Sequence, residues 1–373
     1  MKKLLFIIPL IAITLSACAQ QTESSVKAED PATIKYTTEV VVSDIPIAWG
    51  LEFLPDGSML ITEKAGTLIH FKDGVKTNIS GVPEVYNRGQ GGLLDIKLHP
   101  DYANNGWIYI SYASPEGEGT GGNTAIMRAK LNGNALTNQE VLYKAGPNTT
   151  RGQHFGSRIV FDNDGFLYFS AGERGEHFVN PQDITRDNGK VYRLYDDGRI
   201  PEDNPFYNTP NAKKAIWSYG HRNPQGMIKN PVTGEIWAHE HGPQGGDEIN
   251  IVQKGKNYGW PVISYGIDYD NSIITELTAK EGMEQPLFYW VPSIAPSGLA
   301  MVTSDKYPDW KNNLLVGSLK FGYVERLVLE NNKVVKREKL FEGIGRVRNV
   351  VQAPDGFIYL GVEGKGIVKV IPN

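Results

Sequence analysis

Short runs of alternating apolar and polar positions recur along the chain, each launched from a tight turn. Phe53-Leu-Pro-Asp-Gly-Ser-Met-Leu-Ile-Thr is echoed by Phe161-Asp-Asn-Asp-Gly-Phe-Leu-Tyr-Phe-Ser and by Gln352-Ala-Pro-Asp-Gly-Phe-Ile-Tyr-Leu-Gly. Looser copies begin at Leu98, Lys229 and Tyr307. Each is a turn followed by a strand rich in β-branched and aromatic residues. The turn recurs every roughly 45 to 76 residues, a spacing that fits four short strands and a variable loop. Nowhere does a period of 3.6 persist for three turns of helix. Six such units predict an all-β chain, a six-bladed β-propeller. In that fold polar motifs far apart in sequence meet, because each blade sends one loop to the same central mouth.

The N-terminus departs from this pattern. Met1-Lys2-Lys3 is followed by an apolar run, Leu4 to Leu15, too short to span a bilayer and suited to a signal peptide. It ends Leu15-Ser16-Ala17-Cys18, and Cys18 is the single cysteine, so no disulfide can form within one chain. The ending resembles a lipobox, with Cys18 as the lipidated residue; an ordinary cleavage site with an incidental cysteine is the alternative. Ala19 and Gln20 lack the Asp of inner-membrane retention, which favours the outer membrane, facing the periplasm. Residues 1–17 are therefore expected to be a lipoprotein signal peptide, 18–36 a polar tether and 37–373 the propeller. Glycine, at 41 of 373 residues, suits a turn-rich β protein. A net charge of −4 with mixed signs gives no nucleic-acid surface.

Candidate chemistry is densest from Ile216 to Pro261. Arg222 and Asn223 stand in a Pro-broken polar run, and His241-Gly-Pro-Gln-Gly-Gly-Asp-Glu follows a short strand. So many glycines leave carbonyls free to face something other than a ladder. With Asp247 and Glu248 beside them they offer oxygen ligands to a hard cation such as calcium; a plain surface loop is the alternative. Gln90 stands between glycines before a strand, as a ligand-facing amide or a turn residue. His154 lies at a loop-to-strand junction, where a neutral imidazole acts as a base or serves structure. Lys320, Arg346 and Arg348 supply cations late in the chain, and the two arginines share one face if extended. His239 and His241 suggest zinc but lack a third ligand. Asp268 begins an EF-like run that has Ile273 and Ala279 where that loop needs Gly and Glu. Asp268 stays a candidate calcium ligand in a non-helical loop with Glu248.

The motifs Gly-Gln-Gly-Gly-Leu-Leu-Asp, Gln-His-Phe-Gly-Ser-Arg, Trp-Ser-Tyr-Gly-His-Arg-Asn-Pro-Gln-Gly, Glu-His-Gly-Pro-Gln-Gly-Gly-Asp-Glu-Ile-Asn and Lys-Asn-Tyr-Gly-Trp-Pro occur in this order. Together they resemble the soluble quinoprotein sugar dehydrogenases, most closely their bacterial aldose sugar dehydrogenase branch, from about Val40 to Pro372. The resemblance implies a six-bladed propeller carrying pyrroloquinoline quinone (PQQ) and calcium, which oxidises an aldose at C1 to its lactone. It makes His154 the general base and Arg222 the group that polarises the quinone carbonyl. Asn223, Ser293, Lys320, Arg346 and Arg348 become cofactor residues. The carbonyls of Gly242 and Pro243 would hold the cofactor calcium, with Asp247 behind them. Glu248, the Tyr258 carbonyl and Asp268 would hold a structural calcium. Gln90 would touch the sugar, with Gln153 and Arg174 at substrate positions. There the glucose-specific members carry an acid and a Gln, so a relaxed aldose specificity is expected. The electron acceptor is not specified. Two other classes share the fold: a calcium-dependent propeller lactonase and a non-catalytic carbohydrate-binding propeller.

Overall fold

In a computed structural model the described residues are 28–29 and 36–372. Cys18 and the signal segment lie outside them. Six antiparallel sheets make six blades. Their innermost strands are Ala48–Phe53, Leu93–Leu98, Ile159–Phe161, Pro224–Lys229, Pro296–Met301 and Val347–Gln352. Among the described residues the longest helix is the single turn Tyr102–Asn105. The all-β, six-bladed expectation is met.

All six repeated turns fall at one place in their blades, between the first and second strands. Gly57, Gly165, Gly234 and Gly356 take φ near +80° there, which only glycine adopts without strain. The second strands Met59–Glu63 and Leu167–Ala171 are buried along their whole length. Each is covered on both faces by neighbouring blades, so its sequence is apolar almost throughout rather than alternating. The core is accordingly divided into wedges between blades, one of them built round Trp237, Trp290 and Ile249. Cutting Trp237 to Ala would remove a fully buried indole, at about 3–5 kcal/mol.

Closure comes from the N-terminal strand. Tyr36–Val42 pairs antiparallel with Gly366–Pro372 and supplies the outermost strand of the last blade. Its Tyr36 ring packs 4.1 Å from Trp310 of the preceding blade. The two-residue strand Ala28–Glu29, inside the segment expected to be a tether, pairs parallel with Arg337 and Glu338.

Candidate active site

Antiparallel strands bring two sets of loops to one end of the axis: those that enter each innermost strand and those that leave each second strand. Gln90, His154, Arg222, Ser293 and Arg346 lie in the first set. Glu173, Gly242, Lys320 and Glu363 lie in the second.

His154 is held from three sides. Its backbone is left-handed, with φ +58°, a conformation an imidazole-bearing residue keeps only when neighbours fix it. Its N–H donates to Gln90 Oε1 at 2.9 Å, and the same oxygen lies 3.5 Å from Asn223 Nδ2. Asn223 Oδ1 in turn accepts the Gly156 N–H at 3.0 Å. Gly172 is needed beneath, since a Cβ there would collide with the His154 carbonyl. On the ring, Nδ1 meets Glu173 Oε1, while no described residue reaches Nε2. Burial, then Arg222 and Arg174, holds the imidazole well below its ordinary pKa, and burial raises that of Glu173. With the imidazole neutral and Glu173 ionised, Nδ1–H donates to Oε1, and Nε2 keeps a free lone pair.

Arg174 sits differently from the substrate position the resemblance gave it. The residue is fully buried and its guanidinium lies 3.4 Å from the Phe155 ring centroid. Its donors go to carbonyls of the loop that carries His154, namely Gln153, Arg151 (2.6 Å) and, across the blade, Gly122 (3.3 Å). Burial lowers its pKa to about 9. Its contacts are those of a clamp under the loop. The carbonyl of Gln153 is one of the groups clamped.

Arg222 leaves the loop before Pro224 and points at the glycine-rich turn. Its Nη1 donates to the carbonyls of Gly242 (2.9 Å) and His241 (3.2 Å), and its plane lies 5.2 Å from Trp260. Its Nε is buried with no partner. Gly242 is packed so that a Cβ would collide with the carbonyls of Gly245 and Gly246. That turn is pinned by Asp247, whose carboxylate accepts from Gly242 N–H, Ser293 Oγ–H, Ile294 N–H and Ala295 N–H at 2.7 to 3.0 Å. Burial nevertheless raises Asp247 to about 6. Asp247 and Ser293 thus spend their polar atoms on each other and on the backbone, shaping the turn from behind. Pro243 is buried beside Gly242.

Beneath this turn Glu240 and Glu248 stand opposite each other on paired strands. Burial and the neighbouring Glu240 raise Glu248 to about 8. Both border a cavity of about 10 Å³, next to Tyr258 and Trp260, and Asn250 Oδ1 is buried without a donor. Asn250 Nδ2 donates to both carboxylates, to Glu240 Oε1 at 3.3 Å and to Glu248 Oε2 at 3.1 Å. Glu240 is further tied to His221 and the Arg222 N–H, which leaves Glu248 as the carboxylate with room for a cation. Among the described residues no three His, Cys, Asp or Glu side chains gather as for a metal, so carbonyls must complete any such shell. Asp268 is half-buried; its side chain accepts the Tyr269 N–H and its carbonyl accepts from Gln244 Nε2. The two histidines of the discounted zinc motif are spent on carbonyls, His239 on Gly298 and His241 on Pro296.

Arg346 and Arg348 do share a face, and Glu363 occupies it. Arg348 meets Glu363 Oε1 at 2.6 Å and Gln225 Oε1 at 3.1 Å; Arg346 meets Glu363 Oε2 at 2.6 Å. Arg348 is buried, whereas Arg346 is half-exposed. Lys320 is exposed and has no carboxylate partner among the described residues.

Glu173, Glu240 and Glu363 escaped the sequence reading. One signal was present: a Glu nineteen residues after the His, in both His154–Glu173 and His221–Glu240.

A sequence profile of the family described as Glucose / Sorbosone dehydrogenase matches residues 44–369. The chain is 41% identical to aldose sugar dehydrogenase YliI of Escherichia coli over 99% of this chain and 98% of that protein. The crystal structure of the soluble aldose sugar dehydrogenase of E. coli in the apo form superposes with a TM-score of 0.87, at 40% identity, covering 91% of this chain and all (100%) of that one. The PQQ-bound aldose sugar dehydrogenase of Streptomyces coelicolor superposes with a TM-score of 0.73 at 27% identity, over 92% of this chain and 99% of the other.

Proposed function

The chain belongs to the glucose/sorbosone dehydrogenase family and is an oxidoreductase of that kind; from there we propose that it oxidises aldoses at C1 to the lactone, with PQQ as hydride acceptor, calcium as its companion ion and His154 as the base. The observation that carries the proposal is the His154–Glu173 pair, whose Nε2 is the unpartnered basic atom of the mouth.

Oxidation of a hemiacetal removes the C1 hydroxyl proton and the C1 hydride. His154 Nε2 takes the proton, and Glu173 holds the ring in the one orientation that leaves Nε2 bare. Positive charge arriving on the imidazole is met by the Glu173 carboxyl. Bound PQQ would supply the hydride acceptor, which no side chain offers. The residues present fit it: Arg222 has a buried unpaired Nε, Lys320 offers a cation to a carboxylate, and Arg346 is a half-exposed cation paired with Glu363. The carbonyls of Gly242 and Pro243 would hold a calcium there, and the Glu248 carboxylate, the Tyr258 carbonyl and Asp268 a second, structural ion. Gln90 orders the His154 backbone, and from the same place can touch a sugar. Gln153 and Arg174 contribute through the loop they hold. A lactone, once released, hydrolyses without further machinery.

We further propose that Cys18 carries the lipid and tethers the propeller to the outer membrane on its periplasmic side; a Cys18→Ser chain should lose membrane fractionation. The main test is titration of metal-free protein with PQQ and calcium, followed by dye-linked oxidation of a panel of aldoses. Saturable binding with sugar oxidation that vanishes in His154→Ala supports the proposal. Absence of PQQ binding at micromolar concentration overturns it and directs attention to lactone hydrolysis.

A further inference from the structure

The axis has a second opening. A cavity of about 410 Å³ is lined by residues from the innermost strands of all six blades. It lies at the end away from His154 and Arg222. Those residues precede their strands, whereas the cavity is lined by the later residues Phe161, Lys229 and Met301 and by Pro100, Pro231 and Thr303 of the first-to-second strand turns. Its size is that of a small-molecule pocket, with walls largely apolar and few polar groups.

Its polar groups are mixed, but Thr303 and Gln352 bond to each other, Gln352 Oε1 accepting the Thr303 N–H and Nε2 donating to Thr303 Oγ1. Arg158 is 94% buried. Its Nη1 meets Asp95 Oδ1 at 2.8 Å and its Nε the Gln225 carbonyl at 3.0 Å. Its Nη2 is buried with no partner at all. Asp95 has a partner on each oxygen, since Oδ2 takes the Ile159 N–H at 2.9 Å. Asn349 spends Oδ1 on the Val350 N–H and keeps Nδ2 free among the described residues. At the rim Lys97 is neutralised by Glu52 at 2.6 Å, whereas Lys229 faces only the amide oxygen of Asn163 at 2.7 Å. The unpartnered side-chain atoms are therefore donors, and the net charge is positive. A sugar, which needs acceptors as well, is poorly served; an anion is well served.

We infer that this axial cavity binds a small organic carboxylate, its charged end on Arg158 Nη2 and Asn349 and its apolar body against Met227 and Leu299. It is separate from the sugar-oxidising mouth, though Gln225 touches both, through its carbonyl to Arg158 and its amide oxygen to Arg348.

The test is calorimetric titration of the full chain with benzoate, and with benzamide as its uncharged counterpart. Saturable binding of one benzoate per chain is expected, about tenfold tighter than benzamide. Arg158→Lys should weaken it by about tenfold. Because that change disturbs a buried ion pair, the rim variant Lys229→Glu, which leaves the interior intact, is the second arm; it should weaken binding about threefold. Lys320→Ala, at the opposite mouth, should leave the affinity unchanged. Equal affinity for benzamide, indifference to both Arg158→Lys and Lys229→Glu, or loss in Lys320→Ala would each overturn the inference. So would failure to saturate, which would leave water as the partner of Arg158.

Discussion

Two blades carry the same pair and use it differently. In each, a histidine precedes the innermost strand and a glutamate closes the second strand, nineteen residues later. His154 and Glu173 keep two atoms open, Nε2 and Glu173 Oε2, which has no partner. His221 and Glu240 keep none. Ser218 Oγ caps His221 Nε2 at 2.8 Å, Tyr258 stacks on the ring at 4.5 Å, and Glu240 Oε2 accepts the Arg222 N–H at 2.6 Å. The His154 side chain is 11% exposed and that of His221 0%. Ser218, His221 and Glu240 thus reproduce the contacts of a hydrolytic triad where nothing can enter, and their work is to hold the backbone that carries Arg222. Pairing with a carboxylate does not make a base; what reaches the second ring nitrogen decides it.

The comparison breaks if the two pairs respond alike to mutation. The largest expected effect is in His154→Ala, a loss of roughly 10²–10⁴-fold or more in kcat of the loaded enzyme. His221→Ala should instead strand Ser218 and Glu240, cost about 2–3 kcal/mol of stability, and keep kcat per folded molecule within a few-fold. Thermal denaturation beside single-turnover kinetics separates the two. Next comes Glu173→Gln, which keeps the shape but not the charge, with a fall of about 10²-fold in kcat and little change in KM.

Acid stability sharpens the contrast. The folded pKa of His154 is depressed below its unfolded value, chiefly by burial. Its contribution to stability is complete above about pH 6.5 and lost as pH falls toward the folded value. His154→Ala should therefore flatten the acid limb of a denaturation-versus-pH curve.

Below the mouth the sign reverses. Glu248 is raised to about 8, so in metal-free protein its contribution is present below about pH 4.5 and lost as pH rises toward 8. Calcium should raise Tm more at pH 8 than at pH 5, and Glu248→Gln should remove that difference. If calcium stabilises equally at both, the ion sits elsewhere.

Smaller still is Arg174→Lys, which should lower kcat about three- to tenfold through the His154 loop with KM unchanged. A rise in KM alone would return Arg174 to the substrate. Ser218→Ala should cost about 1 kcal/mol and leave kcat untouched.

Much of this was legible beforehand. The six turns announced the blades because a Pro-, Asp- and Gly-rich turn and the strand after it are local chemistry, readable in about ten residues. His154, Arg222 and the 242–248 loop stood out because glycine and proline beside polar groups forbid a core strand. The burial of Arg174 was not legible, because it depends on Phe155 and on carbonyls of a neighbouring loop. Asp247 was expected behind the Gly242 and Pro243 carbonyls and Ser293 came only from the resemblance; that the two bond to each other across 46 residues was not readable locally.

The sequence by itself determined the propeller and the residue types its loops bring together, since turn preferences and short β-branched and aromatic runs act over a few residues. The tertiary structure alone decided the partners. Arg348 meets Gln225 across 123 residues and Asn223 meets Gly156 across 67. Such contacts exist once six blades close round an axis, where a buried polar atom must find a partner or remain open, and the local sequence carries no trace of which it will be.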